Sequence, residues 1–415
     1  MKTMKNISKC LAAILLVVNL SSCVDLEPEP LSFFAPENTF MDKEGLEALL
    51  ITSRKQIKWE WFGDAFNAGY CETPLVYEYA WSDVSVMGAP EVKEIHNLET
   101  QLTPTTSMAL HLRYWDLAWN GIKYANTVIS RVPKSTIDNE TDKNELLAEG
   151  YFHRAYWYYL LVNQWGDVPL LLEEITEPKL DFYTVSRMKI LQQMKTDMEF
   201  AVKWLPKNVK PGCVNRAAGE HLLAKIYLST GDFQLAVDAT TRCINDYGLH
   251  LMKERFGVNA EDASLDVFND LFQEDNISSS ENKEAIFVVQ ERYGIEGNVA
   301  PNGSARMRNF VPYWCNGAAV KTPDGKPGTT YDAGPYDGYE WVEKLGRGIA
   351  KIRPTNYSQY AIWGKCGNDL RHNENNWFDI SRLKYNRPAS KGGSATYFGT
   401  PVQRSFVTCL LYTSP

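Results

Sequence analysis

Residues 217–247 read AAGEHLLAKIYLSTGDFQLAVDATTRCINDY. Leu223, Ala224 and Tyr227 fall at helical spacing, Gly231-Asp232 interrupts the run, and Ala236 and Cys243 resume it. These are the intervals of one tetratricopeptide unit, in which small residues let two helices pack closely and a glycine turns the chain between them. The tryptophan usual early in the first helix is absent, and Glu220 stands in its place. On this motif alone a single amphipathic hairpin is the competing reading.

Working outward toward the amino terminus, apolar residues recur at three- and four-residue steps from Asp42 to about Ile57 and from Met108 to Val132. In the second segment Trp115, Trp119, Ile122, Ala125 and Ile129 make one broad apolar face, so both segments are predicted helices. A third helix is predicted over Glu145 to Val162, stopped by Gly166 and Pro169, and a fourth from about Ser186 to Leu205, before Pro206. These pairs match the repeat only loosely, so the set, spanning about 42–247, is degenerate. Beyond Gly248 the texture changes. Ala285 to Val289 (AIFVV) is a candidate buried strand, and residues 293–400 are rich in Gly, Pro, Asn, Tyr and Trp without periodicity, predicting a loop-rich lobe over about 248–400. Long irregular loops of this kind usually carry function.

The amino terminus gives an address. Lys2, Lys5 and Lys9 precede an apolar run, Leu11 to Val18, that falls short of the roughly 20 residues a membrane span needs. Leu20-Ser21-Ser22-Cys23 then follows in the order a bacterial lipoprotein signal requires. Residues 1–22 are therefore expected to be removed and Cys23 to carry a diacylglycerol group. Residues 23–40 read as a solvated tether, opening with the acid- and proline-rich Val24 to Pro30. An acidic stretch in that position resembles the export signal of bacteria that display lipoproteins outward.

Among 415 residues, 44% are hydrophobic and 23% charged, a composition that supports one large or two smaller globular domains. Loss of residues 1–22 removes three lysines and no acids, moving the formal charge from −8 to about −11. That acidity argues against nucleic acid as a partner. The eight cysteines are scattered singly, with no C-x-x-C and no spacing of a metal knuckle. The six histidines include no H-E-x-x-H, and neither a G-x-S-x-G nor a phosphate-loop motif is present. No enzyme, metal site or cofactor is predicted.

Several stretches together resemble the SusD/RagB family of outer-membrane nutrient-binding lipoproteins. They are Cys23 with Asp25-Leu26, Tyr114 to Asn126 (YWDLAWNGIKYAN), Ala148 to Leu160 (AEGYFHRAYWYYL), Trp165 to Pro169 (WGDVP), the unit at 217–247, Arg353-Pro354-Thr355 and Asn368-Asp369-Leu370-Arg371. The resemblance implies a mainly α fold: a right-handed superhelix of tetratricopeptide-like helix pairs with an irregular, loop-rich lobe laid over it, occupying residues 41–408. It implies a lipid-anchored protein of the outer membrane, facing the cell exterior, that binds glycan or oligosaccharide and delivers it to a SusC-like TonB-dependent transporter. Asn126, Arg154, Gly166 and Asp167 are then scaffold positions. The alternatives are a peptide-binding RagB-like protein and, from another class, a lipid-anchored glycoside hydrolase. The family continues past this length, so the chain reads as truncated, which would leave apolar faces uncovered. Cys409 to Pro415 resembles translated sequencing-adaptor sequence.

A glycan site needs aromatic rings for the C–H faces of the sugar and a few planar polar groups for its hydroxyls. Two stretches offer both. Residues 77–97 supply Tyr79, Trp81, Asp83 and Asn97; residues 292–316 supply Arg292, Tyr293, Tyr313, Trp314 and Asn316, extended by Tyr336. The expected ligand-binding set is Trp81, Asp83, Asn97, Arg292, Tyr293, Tyr313, Trp314, Asn316 and Tyr336.

Overall fold

The computed structural model describes residues 40–62, 82–87, 109–292, 295, 310–311, 314, 320–330, 348, 352–377 and 382–403. Its spine is a run of helices, each packed chiefly on its neighbours in sequence: α1 (Lys43–Phe62), α2 (Ala109–Arg131), α3 (Glu140–Trp165), α4 (Arg187–Trp204), α5 (Arg216–Thr230) and α6 (Phe233–Asn245).

The longest, α3, lies between α2 and α4 and is apolar around most of its circumference, the pattern of a helix enclosed on several sides. Ala155, Trp157, Tyr158 and Leu161 are wholly buried. Each large side chain so placed contributes about 1.5–3 kcal/mol relative to exposure. The helix starts before the predicted Glu145 because Asn139 caps it, its Oδ1 accepting from the Thr141 and Asp142 N–H groups. It ends at Gly166, whose φ of 72° suits glycine. Close approach of α2 depends on Gly121, where a Cβ would fall 2.0 Å from Trp157 Nε1.

A buried polar cluster ties three helices to one loop. Arg154 on α3 donates to Asp197 on α4 at 2.8 Å, to Asn126 on α2 at 3.1 Å and to the Leu172 carbonyl at 2.7 Å. Asn126 in turn donates to the Leu171 carbonyl at 2.9 Å. Asp167 accepts from the Arg187 N–H at 2.8 Å and so sets the start of α4.

The α5–α6 hairpin has the geometry that its small residues predict. Gly231 turns the chain in the left-handed region, and Ala224, Ala236, Ala239 and Cys243 are buried. Glu220 is no misfit in the tryptophan's place: its carboxylate receives Arg242 Nε and Nη2, both at 2.8 Å, which joins α5 to α6 across their packing face. On the outer side, Phe233, Val237 and Ile244 of α6 and Leu228 of α5 remain largely exposed.

Residues 285–289, expected as a strand, form none. Ile286, Phe287 and Val289 instead pack their side chains against the helical core, and Asn215 donates to the Ile286 carbonyl at 2.9 Å. An apolar run short enough for a strand serves here as an irregular cover. The segment before it rests on polar networks. Arg255 forks onto the fully buried Asp270 and reaches the carbonyls of Asp262 and Leu265, while Asn276 donates to the carbonyls of Phe256 and Asp270. A short helix, α7 (Val267–Leu271), is capped by Asp266.

Two small antiparallel pairings complete the frame. β2 (Val168–Pro169) pairs with β3 (Thr184–Val185) and closes the excursion between α3 and α4. β1 (Ser85–Met87) pairs with β4 (Ile352–Pro354) in the register Ser85 with Pro354 and Met87 with Ile352. No described helix is long and apolar enough to cross a membrane.

Candidate functional site

Directly after β4, the chain makes a wide helical turn, Tyr357–Ala361, closed by a bond from the Ile362 N–H to the Tyr357 carbonyl at 3.0 Å. Such i to i+5 turns recur at functional sites. The turn is pinned to the β1 segment: the Thr355 hydroxyl donates to the Asp83 carbonyl at 2.6 Å, and the Ser358 hydroxyl to the Val84 carbonyl at 2.5 Å. Two 3-10 turns follow, Trp363–Lys365 and Leu370–His372.

These turns bring three rings together. Trp363 and His372 stack with centroids 4.8 Å apart, Trp377 meets Trp363 edge-on at 5.8 Å, and His372 lies 4.7 Å from Trp377. Arg371 holds its guanidinium 5.7 Å from the Trp363 ring centre. The Trp363 indole N–H donates to the Ser358 carbonyl at 2.9 Å, which locks the ring to the wide turn. From the other side, Asp266 accepts from Asn373 at 2.7 Å and Asn376 at 2.8 Å, so the cap of α7 anchors the segment carrying Trp377.

Arg371 is set by Asp369, which accepts from the Arg371 backbone N–H at 3.0 Å, Nε at 2.9 Å and Nη2 at 2.6 Å. That side-chain fork, with the backbone bond second, draws the Asp369 carboxyl down to about 2. The rings border an open cleft of about 550 Å³, also lined by Gln359, Tyr360, Asn373, Glu374 and Arg382. Tyr360 is half exposed. The Gln359 amide and the Glu374 carboxylate make no hydrogen bond to other described residues. Ring faces beside planar donors and acceptors, open to solvent, suit a sugar: its C–H faces stack while its hydroxyls keep hydrogen-bonding partners.

Of the sequence-derived site residues, Cys23, Trp81, Asn97, Tyr293, Tyr313, Asn316 and Tyr336 lie outside the described residues. Asp83 lies at the foot of the ring cluster, engaged through its carbonyl. Arg292 is spent on surface carboxylates, 2.8 Å from Glu274 and 2.5 Å from Asp275. Trp314 is only 1% exposed, and its carbonyl accepts from the Thr329 hydroxyl. Sequence reasoning passed over Trp363, His372 and Trp377. Their available signal was two tryptophans and a histidine within fifteen residues of a glycine- and asparagine-rich stretch, around Asn368-Asp369-Leu370-Arg371. Among the described residues no group of three or more His, Cys, Asp or Glu side chains is placed to hold a metal ion.

Comparison with known proteins agrees with this architecture. Residues 72–228 match a SusD-like family model described as "Starch-binding associating with outer membrane". A SusD-like protein P2 of Formosa agariphila is 27% identical over 238 residues, which cover 56% of this chain and 45% of that protein. The chain thus spans about half the length of that relative. The fold resembles a SusD superfamily protein from Bacteroides vulgatus, with TM-score 0.52, 18% identity, and 76% and 56% of the two chains covered. It also resembles surface glycan-binding protein A from Bacteroides thetaiotaomicron, solved with laminarihexaose, with TM-score 0.54, 17% identity, and 79% and 62% covered. At these identities the likeness to solved structures is one of fold.

Proposed function

We propose that the chain is a SusD-like protein that captures glycan or oligosaccharide by contact and breaks no bond in it, a reading supported by the family-model match over residues 72–228. The single observation carrying this reading is the cluster of Trp363, His372 and Trp377 on an open cleft edged by Gln359 and Glu374. Rings fixed by Ser358, Asp266 and Asp369 are already ordered, so a sugar meets a platform with little left to lose in side-chain entropy. The laminarihexaose complex of the Bacteroides thetaiotaomicron protein supports an oligosaccharide as the ligand class.

In this reading the Leu20-Ser21-Ser22-Cys23 motif directs acylation of Cys23, and the protein is anchored to the outer membrane, facing outward. The family description, which links starch binding to the outer membrane, supports that address. A SusC-like TonB-dependent transporter is the partner that receives the captured glycan.

Affinity electrophoresis in gels containing single polysaccharides tests the proposal. Migration is retarded by at least one glycan, and Trp377→Ala reduces the retardation while the circular-dichroism spectrum stays unchanged. Release of reducing ends from any polysaccharide of the panel would overturn the non-catalytic reading, and unaltered retardation of the variant would overturn the site.

A further inference from the structure

A second cleft, of about 660 Å³, opens between α2 and the excursion that joins α3 to α4. Trp115, Trp119 and Ile122 form one wall; Leu171, Ile175 and Phe182 form the other. Its volume lies within the roughly 300–1,000 Å³ typical of small-molecule sites. Its walls are more apolar than those of the ring-cluster cleft. A polyhydroxylated ligand pressed against these walls would strand its hydroxyls, at about 1–3 kcal/mol for each one left without a partner. An apolar body, and with three aromatic side chains in the walls an aromatic one, is the fitting occupant.

The polar lining residues narrow the choice. Asn126 is consumed by the Leu171 carbonyl and Arg154. Glu174 is neutralised by Arg131, which forks onto it at 2.6 and 2.9 Å. The Thr127 hydroxyl donates back to the Lys123 carbonyl. Three groups remain: the Asn120 amide and the Lys123 ammonium on the α2 wall, both able to donate to a carboxylate, and the Glu173 carboxylate on the opposite wall, all exposed and without a side-chain partner among the described residues. A ligand bearing only a carboxylate satisfies the α2 wall and is repelled by the opposite one; one bearing only an ammonium meets the converse. A zwitterion answers both.

We propose that this cleft binds a small zwitterion with an aromatic body, such as a free aromatic amino acid, its carboxylate toward Lys123 and its ammonium toward Glu173. The site is separate from the glycan platform and does not depend on it.

Calorimetric titration of the full chain with tryptophan, N-acetyltryptophan and tryptophanamide provides the test. Tryptophan binds most tightly, and each blocked form binds about threefold to fivefold more weakly, the worth of one exposed charge contact. Lys123→Gln reduces the preference for tryptophan over its amide and leaves the preference over the N-acetyl form; Glu173→Gln does the opposite. Trp377→Ala leaves all three affinities unchanged. Absence of saturable tryptophan binding up to about 10 mM, a weak-binding ceiling on the usual affinity scale, would overturn the proposal. So would preferences indifferent to both substitutions, the result expected if the cleft instead seats a segment of protein.

Discussion

The His372 imidazole lies against the Trp363 indole, ring centroids 4.8 Å apart and planes inclined by 19°. Neither ring could hold that pose alone on an exposed turn. Trp363 is fixed by Ser358, and His372 closes a 3-10 turn begun by Asp369, so the stack is built from two separately anchored turns.

Removing either tryptophan of the cluster therefore has different consequences. Trp377→Ala deletes a ring face and weakens glycan binding with little change in stability. Trp363→Ala also releases His372 and Arg371, which lean on it, and weakens binding further. Aromatic pairs contribute about 0.5–1.5 kcal/mol beyond their buried area, which sets the scale of the difference. Titration of both variants with one oligosaccharide, beside their urea midpoints, checks the ordering.

Acid should disable the platform late. Asp369 is held well below the ordinary carboxylate value of 3.8 by Arg371, so its contribution is fully present above about pH 4 and is lost only as the pH falls toward 2. Glycan retention that depends on the Arg371 pose is expected to be flat with respect to Asp369 from neutrality to about pH 4. Asp369→Asn, which removes the charge at every pH, should lower affinity already at neutral pH. Equal affinity of that variant and the parent chain would show that the pose of Arg371 does not matter to the ligand.

The scaffold offers a sharper test of buried charge. Arg154→Met leaves the buried Asp197 carboxyl without its guanidinium, with Gln193 as its remaining side-chain partner, and is expected to cost about 3–5 kcal/mol. Arg154→Met combined with Asp197→Leu removes both charges and should recover much of the loss. Chemical denaturation of the two variants distinguishes a stranded carboxylate from simple loss of packing.

Steric economy at the α2–α3 contact is open to the same measurement. In Gly121→Ala the added methyl would collide with the Trp157 indole, which is wholly buried. Overpacking of this kind costs about 1–3 kcal/mol. Trimming the indole in a Gly121→Ala, Trp157→Leu double variant should make the two substitutions cost less than their sum.

Thiol chemistry separates the two halves. Burial pushes the Cys243 thiol up to about 11, with the neighbouring Glu220 carboxylate adding to the effect, whereas Cys366 is exposed between the two turns of the ring cluster. Iodoacetamide at pH 8 should modify Cys366 and spare Cys243 until the helices unfold. Saturating glycan should slow the reaction at Cys366, as peptide mapping would reveal.

The helices were legible because apolar periodicity is a local signal and the excluded face repeats along the chain. Trp115, Trp119 and Ile122 announce α2 without reference to anything distant. Glu220 was visible as a departure from the repeat, but its reason was not, since Arg242 becomes its partner only once the hairpin closes. The run at 285–289 misled because strand and irregular cover demand the same apolar composition. They differ in where the backbone hydrogen bonds go. The ring cluster stayed hidden because Trp363, His372 and Trp377 follow no period. Carboxylates and amides gather them, and Asp266 reaches its partners across more than a hundred residues. Trp314, an attractive candidate by composition, is enclosed for reasons that only the folded lobe reveals.

The footing of the platform, where Thr355 meets Asp83, joins positions 272 residues apart, whereas the helical hairpins close over short intervals. Loop closure over such a separation costs entropy that nothing local repays in advance. During synthesis the helices can consolidate while the ribosome is still far from codon 352, and the β1 segment must wait unpaired. A nascent chain released before that point would own its helical hairpins while β1 still lacked the strand it pairs with.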